Sequence, residues 1–374
     1  MGYGKIRLVK FICNNARILS QNSSDTTSQR LNIYWNSMSE ATQSANRLLI
    51  VIVNYKSAPL TVNCLRTLES EIKALPGTHV TIVENDSGDD SLTQIQTAID
   101  QENWHDWVTL TASDHNGGYA YGNNLGIRPA LEGDNPPQYV LLLNPDTRVH
   151  PGALQALINF MDEHPQAGIA GSSFEDDNGN LWPYAFRFPT ILSEINEGFR
   201  IGVITKLLNR WIVPRTMEQD KPQQIDWLPG ASMMIRREVF EQVGLMDEGY
   251  FLYYEETDFC LQAKRQGWEC WYVPASHVTH ICGQSTGVTK INNPKKKRLP
   301  QYWFDSRRRY FLKNYGVFYT AIADAVWISG FATWRMRRVI QGKPDRDPPK
   351  YLSDFIQNSV FFRGGSVPTS QAPS

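Results

Sequence analysis

Residues 48–53 form an unbroken apolar run, Leu-Leu-Ile-Val-Ile-Val, closed by Asn54 and Tyr55. Such runs mark parallel strands covered on both faces, because every side chain meets core whichever way it points. Leu60, Cys64, Leu65 and Leu68 then recur at helical spacing, and residues 80–83 make a second apolar run that ends in the polar turn Glu84-Asn85-Asp86-Ser87. Residues 107–111 and 139–143 read as two more strands, with a helix over 122–131 between them. Strands alternating with helices imply right-handed βαβ units and a parallel sheet.

Beyond Pro151 the pattern loosens. A helix is predicted over 152–163, a strand near 168–171, an irregular aromatic stretch over 181–189, a strand over 226–235, a short helix over 238–243 and a strand over 269–273. Further on, Arg307, Arg308, Arg309 and Lys313 precede an apolar aromatic stretch, 317–334, that contains Asp324 and is closed by Arg335, Arg337 and Arg338. It is short for a membrane span and carries a charge, so an interfacial amphipathic helix is expected, with a helix packed on the domain as the alternative. The fold class expected is α/β, a Rossmann-like and mostly parallel sheet flanked by helices, with a C-terminal helical extension. Five segments follow: a loosely ordered tail (1–46) with a basic amphipathic piece at 5–19, a main domain (47–299) with halves of about 47–150 and 151–299, a basic aromatic extension (300–342) and a Pro-rich disordered tail (343–374).

The 37 basic and 38 acidic side chains nearly balance, so no overall field favours nucleic acid. Five scattered cysteines, Cys13, Cys64, Cys260, Cys270 and Cys282, do not suit a disulfide framework, and the opening residues do not resemble a secretory signal, so a cytoplasmic location is expected.

Candidate chemistry centres on two acidic segments. Tyr250-Phe251-Leu252-Tyr253-Tyr254-Glu255-Glu256-Thr257-Asp258 crowds three carboxylates behind aromatics, which raises carboxyl pKa values and suits one group to take a proton; a helix start is the alternative. Asn144-Pro145-Asp146 follows a buried strand and leaves Asp146 at its carboxyl end, where open α/β sheets bind ligands. A hard divalent cation suits Asp146, with further ligands sought at His277 and His280. Zinc on these histidines with Cys270 and Cys282 fits no finger spacing. Asn116-Gly117-Gly118 opens the helix at Gly122-Asn123-Asn124 and gives the backbone room for a ligand, while Trp227-Leu228-Pro229-Gly230-Ala231 suits a sugar face. There is no P-loop.

Together and in this order, Val53-Asn54-Tyr55, Glu84-Asn85-Asp86-Ser87, Asn116-Gly117-Gly118, Asn144-Pro145-Asp146-Thr147, Trp227-Leu228-Pro229-Gly230-Ala231, the acidic segment and residues 280–285 resemble the family 2 glycosyltransferases of the GT-A fold, especially the bacterial rhamnosyltransferase-like branch. The resemblance spans about 48–316. It implies an inverting enzyme that moves a sugar from a dTDP- or UDP-linked donor to a glycan or lipid-linked acceptor in cell-surface polysaccharide synthesis. It places Asn54, Tyr55, Glu84, Asn85, Ser87, Asn116, Gly117, Gly118, Asn123, Asn144 and Asp146 around the nucleotide sugar, with Glu84 at the base-reading position usually held by Asp. Asp146 and His280 would hold Mg²⁺ or Mn²⁺. Glu256, with Glu255 beside it, would act as base, and Trp227, Gly230, Ala231 and Asp258 would face the acceptor. No Gln-x-x-Arg-Trp follows, so one sugar per encounter is expected. A sugar nucleotidyltransferase and a non-catalytic carbohydrate-binding scaffold are the rival readings. Attachment to the inner face of the membrane through 307–338 is expected as well.

Overall fold

The computed structural model describes residues 46–182, 185–215, 217–281 and 297–371. The expected N-terminal tail up to residue 45, with its basic piece, and the 282–285 end of the histidine segment lie outside the described residues. The first half runs β1 (Leu48–Asn54), α1 (Ala58–Ala74), β2 (Thr78–Glu84), α2 (Ser91–Glu102), β3 (Val108–Ala112), α3 (Gly118–Glu132), β4 (Tyr139–Leu143), β5 (Thr147–Val149) and α4 (Ala153–Glu163). Strands β4, β1, β2 and β3 pair in parallel in that order. The alternation within β1 explains its sequence: Leu48, Ile50 and Ile52 enter one core, and Leu49 and Val51 the other. Both faces are dry, so no polar position interrupts the run.

The second half adds β6 (Ala167–Glu175), β7 (Leu181–Trp182), β8 (Ala185–Phe186), α5 (Ile191–Phe199), α6 (Gly202–Leu207), β9 (Pro214–Arg215), β10 (Gln223–Ile225), β11 (Ser232–Arg236), α7 (Arg237–Val243), α8 (Glu255–Arg265) and β12 (Glu269–His280). The ten-stranded sheet continues past β4 as β11, β6, β12 and β10, with β5 on β12 and β7 on β6; β8 and β9 pair apart from it. The expected α/β architecture is therefore present, and β11 enters it antiparallel to both β4 and β6. That insertion sets residues 227–231 beside the carboxyl end of β4, where Asn144 N donates to Ala231 O at 3.1 Å.

The last stretch is α9 (Gln301–Ile340), α10 (Tyr351–Asn358) and α11 (Val360–Arg363). Gly316, at φ 79° and ψ 175°, breaks α9 into two helices. The basic cluster expected to meet lipid is spent inside the fold. Arg307 bonds Glu194 Oε2 at 2.6 Å and Asp324 Oδ1 at 2.7 Å, all three buried. Arg308 donates to Asn358 O, Arg309 grips both oxygens of Asp247, and Lys313 reaches Asp247 and Asp258. A second correction concerns residues from 343 onward, read as disordered. Two helices form there: Phe355 stacks on Trp327 with ring centres 3.8 Å apart, and Asp354 takes two bonds from Arg298. Composition alone hid these partners.

Burial pushes the Glu194 carboxyl above its ordinary range, and the Arg307 guanidinium pulls it back. Removing one member of such a cluster strands the others in low dielectric. Arg307→Met is therefore expected to cost about 3–5 kcal/mol, read as a fall in the denaturant midpoint. An unchanged midpoint would show that the two acids do not depend on Arg307.

Candidate active site

The carboxyl ends of β1 and β2 are tied together by their own polar side chains. Asn54, fully buried, accepts from the Thr61 hydroxyl at 2.8 Å and the Ser57 hydroxyl at 3.1 Å. Glu84 Oε1 accepts from Ser87 N at 3.0 Å and from the Ser87 hydroxyl, and that hydroxyl also receives Lys56 N. Tyr55 stands exposed beyond this knot, with Lys56 over its ring. Asn85 donates to Asn116 Oδ1 and to Gly118 O, both at 3.1 Å, while its own buried Oδ1 has no hydrogen-bond partner among the described residues. A buried amide oxygen without a donor is costly, so this one is ready to receive an N–H or O–H.

The glycine turn does a different job from the one expected. Gly118 sits at φ +88°, and a Cβ there would lie 2.0 Å from the Phe251 carbonyl oxygen. The space it leaves is filled by that carbonyl, which accepts Tyr119 N at 2.9 Å. Gly117 N rests on His115 O. Asn123 turns its amide into its own helix, onto Tyr119 O at 2.9 Å.

Asp146 and His280, far apart in sequence, meet because β12 pairs with β5. Asp146 is almost fully buried, and its Oδ1 lies 3.3 Å from His280 Nε2. Asp146 O accepts Ile281 N, and the Thr147 hydroxyl closes back on Asn144 O. Strand alternation sends His277 the other way, to the Ser173 hydroxyl at 3.0 Å. Of the zinc alternative, Cys270 is buried in the apolar core with Ile225 and Cys260, and Cys282 lies outside the described residues. Among the described residues no group of three or more His, Cys, Asp or Glu could hold a metal. A carboxylate and an imidazole at this spacing do fit Mg²⁺ or Mn²⁺, which take few protein ligands and complete their octahedra with phosphates and water.

The acidic segment is shaped by two adjacent tyrosines in left-handed conformation, Tyr253 at φ 72° and Tyr254 at φ 69°. Bulky residues adopt it only when neighbours enforce it. Tyr253 stacks on Tyr302, and Tyr254 packs on Trp303 and Tyr310. Helix α8 consequently starts at Glu255, not at Asp258. Asp258 is turned away from any acceptor: it is buried under Lys313, Asn314 and Gln262, at 2.5, 2.6 and 3.1 Å.

Glu256 accepts Gly230 N at 3.1 Å. Burial raises its carboxyl above the ordinary range, and the bond from Gly230 offsets part of the rise. Glu255, 2% exposed, is pushed well up by burial and then by the neighbouring Glu256 charge. Burial and mutual repulsion thus disfavour charge on both carboxyl groups, on Glu255 more than on Glu256. Sequence reasoning missed Tyr119, whose hydroxyl donates to Gly230 O at 2.7 Å. Burial keeps this phenol protonated, reinforced by Glu256, Glu255 and then Asp146, so all three acids bear on one side chain. Its place directly after the glycine pair was the available signal. Trp227 differs from expectation, since Phe186 stacks on one face of its ring at 4.5 Å and its Nε1 is spent on Arg187 O.

A family model described as glycosyltransferase-like family 2 matches residues 45–296. The N-acetylglucosaminyl-diphospho-decaprenol L-rhamnosyltransferase of Mycobacterium tuberculosis is 32% identical over 153 residues, 40% of this chain and 48% of that protein. The chain thus spans about half the length of that relative. The low-salt glycan biosynthesis hexosyltransferase Agl10 of Haloferax volcanii is 30% identical over 273 residues, 71% of this chain and 75% of its own. Among solved structures, the mannosyltransferase PcManGT of Pyrobaculum calidifontis with GDP-Man and Mn²⁺ matches with TM-score 0.51 at 13% identity, covering 85% of this chain and 87% of that one. GalNAc-T7 with UDP, GalNAc and Mn²⁺ matches with TM-score 0.51 at 14% identity, covering 86% and 58%. These likenesses carry the GT-A fold.

The raised Glu255 carboxyl sets a stability trend. Its folded pKa lies above the ordinary 4.5, so its contribution is complete below that value and is lost as pH climbs through the folded-state value. Glu255→Gln does not titrate. Its unfolding midpoint should match wild type at about pH 4 and exceed it increasingly as pH rises above the ordinary carboxyl value. A gap that stays constant with pH would mean that Glu255 is not held protonated.

Proposed function

The chain belongs to glycosyltransferase-like family 2, and we propose that it transfers a sugar, rhamnose in the first instance, from a nucleoside diphosphate donor to a hydroxyl of a glycan or lipid-linked acceptor in cell-surface polysaccharide synthesis, with inversion. The observation that carries this reading is the arrangement beyond the carboxyl end of β4, where Asp146 meets His280 at 3.3 Å, Glu256 accepts Gly230 N at 3.1 Å and the Tyr119 hydroxyl holds Gly230 O at 2.7 Å. The donor sugar is supported by relatives named as rhamnosyltransferases, among them the dTDP-rhamnosyl transferase RfbF of Shigella flexneri at 26% identity. A lipid diphosphate acceptor is supported by the name of the mycobacterial relative. Such an acceptor puts the work at the inner face of the membrane. Among the described residues no helix is long and apolar enough to cross one.

Asp146 and His280 are the residues that would hold Mg²⁺ or Mn²⁺, which when bound supplies positive charge for the departing diphosphate. Glu256 takes the proton of the acceptor hydroxyl as its oxygen bonds to the anomeric carbon and the bond from that carbon to the phosphate oxygen breaks. The electron pair leaves with the nucleoside diphosphate. The raised pKa of Glu256 fits a base. Glu255 beside it is pushed up further, by burial and then by the Glu256 charge, which disfavours it as a nucleophile and suits a single displacement. The amide of Gly230 aims the Glu256 carboxylate, and Tyr119 fixes Gly230 in turn.

Titration calorimetry with dTDP and UDP should detect nucleotide binding strengthened by Mn²⁺ in the wild type, with the metal increment lost in Asp146→Asn. Equal affinity with and without metal in both proteins would remove Asp146 from the site. Glu256→Gln should keep nucleotide affinity and lose about 10²- to 10⁴-fold in transfer. Near-normal turnover in that variant alongside a dead Glu255→Gln would reverse the two roles.

A further inference from the structure

The outward face of α9 beyond Gly316 is apolar along its whole length. Positions 318, 322, 325, 329, 332, 336 and 340 recur at helical spacing and read Phe, Ile, Ala, Ser, Ala, Met and Ile, with no charge among them. Phe318 and Ile340 are each 85% exposed and Met336 64%. The opposite face carries Asp324, Trp327 and Phe331 into the fold, so the helix is anchored and its orientation fixed. From 317 to 340 the stripe runs about 36 Å at 1.5 Å per residue. Soluble surfaces rarely expose a continuous apolar strip of that length without a use for it.

A second segment emerges beside the far end of this helix. Arg337 Nη2 donates to Phe199 O and Arg200 O, at 2.9 and 2.8 Å, and the Arg200 guanidinium lies over Phe331 and Trp334. Helix α6 begins two residues after Arg200 and exposes Val203 and Leu207, one turn apart. Exposed cations accompany both pieces: Lys206 and Arg210 around α6, and Lys343, Arg346 and Lys350 after α9. The nearby acids are already taken, Asp345 by Arg335 and Arg338, and Asp347 by Arg200. What remains is an apolar ridge with a basic rim.

We infer that this ridge docks on an anionic lipid bilayer, with the second half of α9 lying in the headgroup layer and Phe318, Ile322, Met336 and Ile340 reaching the acyl boundary. A second copy of the chain fits poorly, because it would bring the same basic rim against itself, whereas anionic headgroups match it. The surface differs from the arginine cluster at 307–309, which is enclosed. It is also mechanically joined to the acid segment: the first half of α9 bonds Leu252 O through Ser306 and Asp258 through Lys313 and Asn314, so docking sets the height of Glu256 above the bilayer. The acceptor part of this inference rests on the proposed transferase reading; the docking itself does not.

The test is flotation of the full chain with vesicles of phosphatidylcholine alone and of phosphatidylcholine with phosphatidylglycerol. Wild type should float with the anionic vesicles, less so at high salt, and Ile322→Glu with Met336→Glu should lower the bound fraction about tenfold or more while the unfolding midpoint is kept. Leu207→Glu alone should give a smaller loss. Wild type that floats with neither vesicle, or a double variant that floats as wild type does, overturns the inference. So does a wild-type dimer in sedimentation that the double variant converts to monomer without any vesicle binding. Transfer to a water-soluble acceptor, measured in parallel, should be the same in wild type and variant. Lost flotation with no transfer in either protein would leave docking standing and reject the transferase reading instead.

Discussion

The hydrogen bond from Tyr119 N to Phe251 O is the contact on which the site depends. It joins the start of α3, in the first half of the chain, to the strained aromatic loop before α8 in the second. Gly118 makes it possible, because any side chain there would occupy the position of the carbonyl. Once the bond forms, Tyr119 is aimed at Gly230, Gly230 at Glu256, and the loop carrying Asn116 is held against Asn85. Polar groups that follow β2, open α3, precede β11 and start α8 thereby share one frame. A shift of the 251 loop would misplace the base and the nucleotide side together, which is how a small backbone displacement comes to cost much of a reaction rate.

The same frame explains why two carboxyl groups can sit side by side in a dry setting. Among the described residues Glu255 Oε2 has no hydrogen-bond donor and burial pushes that carboxyl well up, whereas Glu256 accepts the Gly230 amide, which offsets part of its own rise. The Gly230 amide is one contact that sets the two identical residues apart. Spacing could suggest that they differ, but the donor belongs to a loop 26 positions away.

What the chain disclosed in advance follows the range of the interactions involved. The parallel strands were legible because burial on both faces leaves a local mark, as in residues 48–53. The place of Asp146 just after β4 was legible in Asn-Pro-Asp, but the exposure expected there was not found: Asp146 is buried against His280, a partner distant in sequence. The fate of Arg307, Arg309 and Asp258 was not, since their partners Glu194, Asp247 and Lys313 are distant in sequence and a charged cluster reads the same whether solvated or enclosed. Residues 351–363 failed for a related reason. Their helices are short and gain stability from packing on Trp327 and Arg298, not from propensity. Left-handed backbone at Tyr253 and Tyr254 ran against residue preference, and this moved the start of α8 ahead of Asp258.

The segment around residue 370 also carries a temporal consequence. Ser370 takes Phe251 N on its hydroxyl at 2.9 Å and gives its own N–H to Gly249 O at 2.8 Å, across 119 and 121 positions of chain. During synthesis the sheet can close as soon as β12 emerges, but the loop that presents Glu256 lacks its last restraint until position 370 has cleared the ribosome. The hydrophobic sheet matures early and the loop before α8 late. A nascent chain therefore passes through an interval in which it is folded but not yet competent.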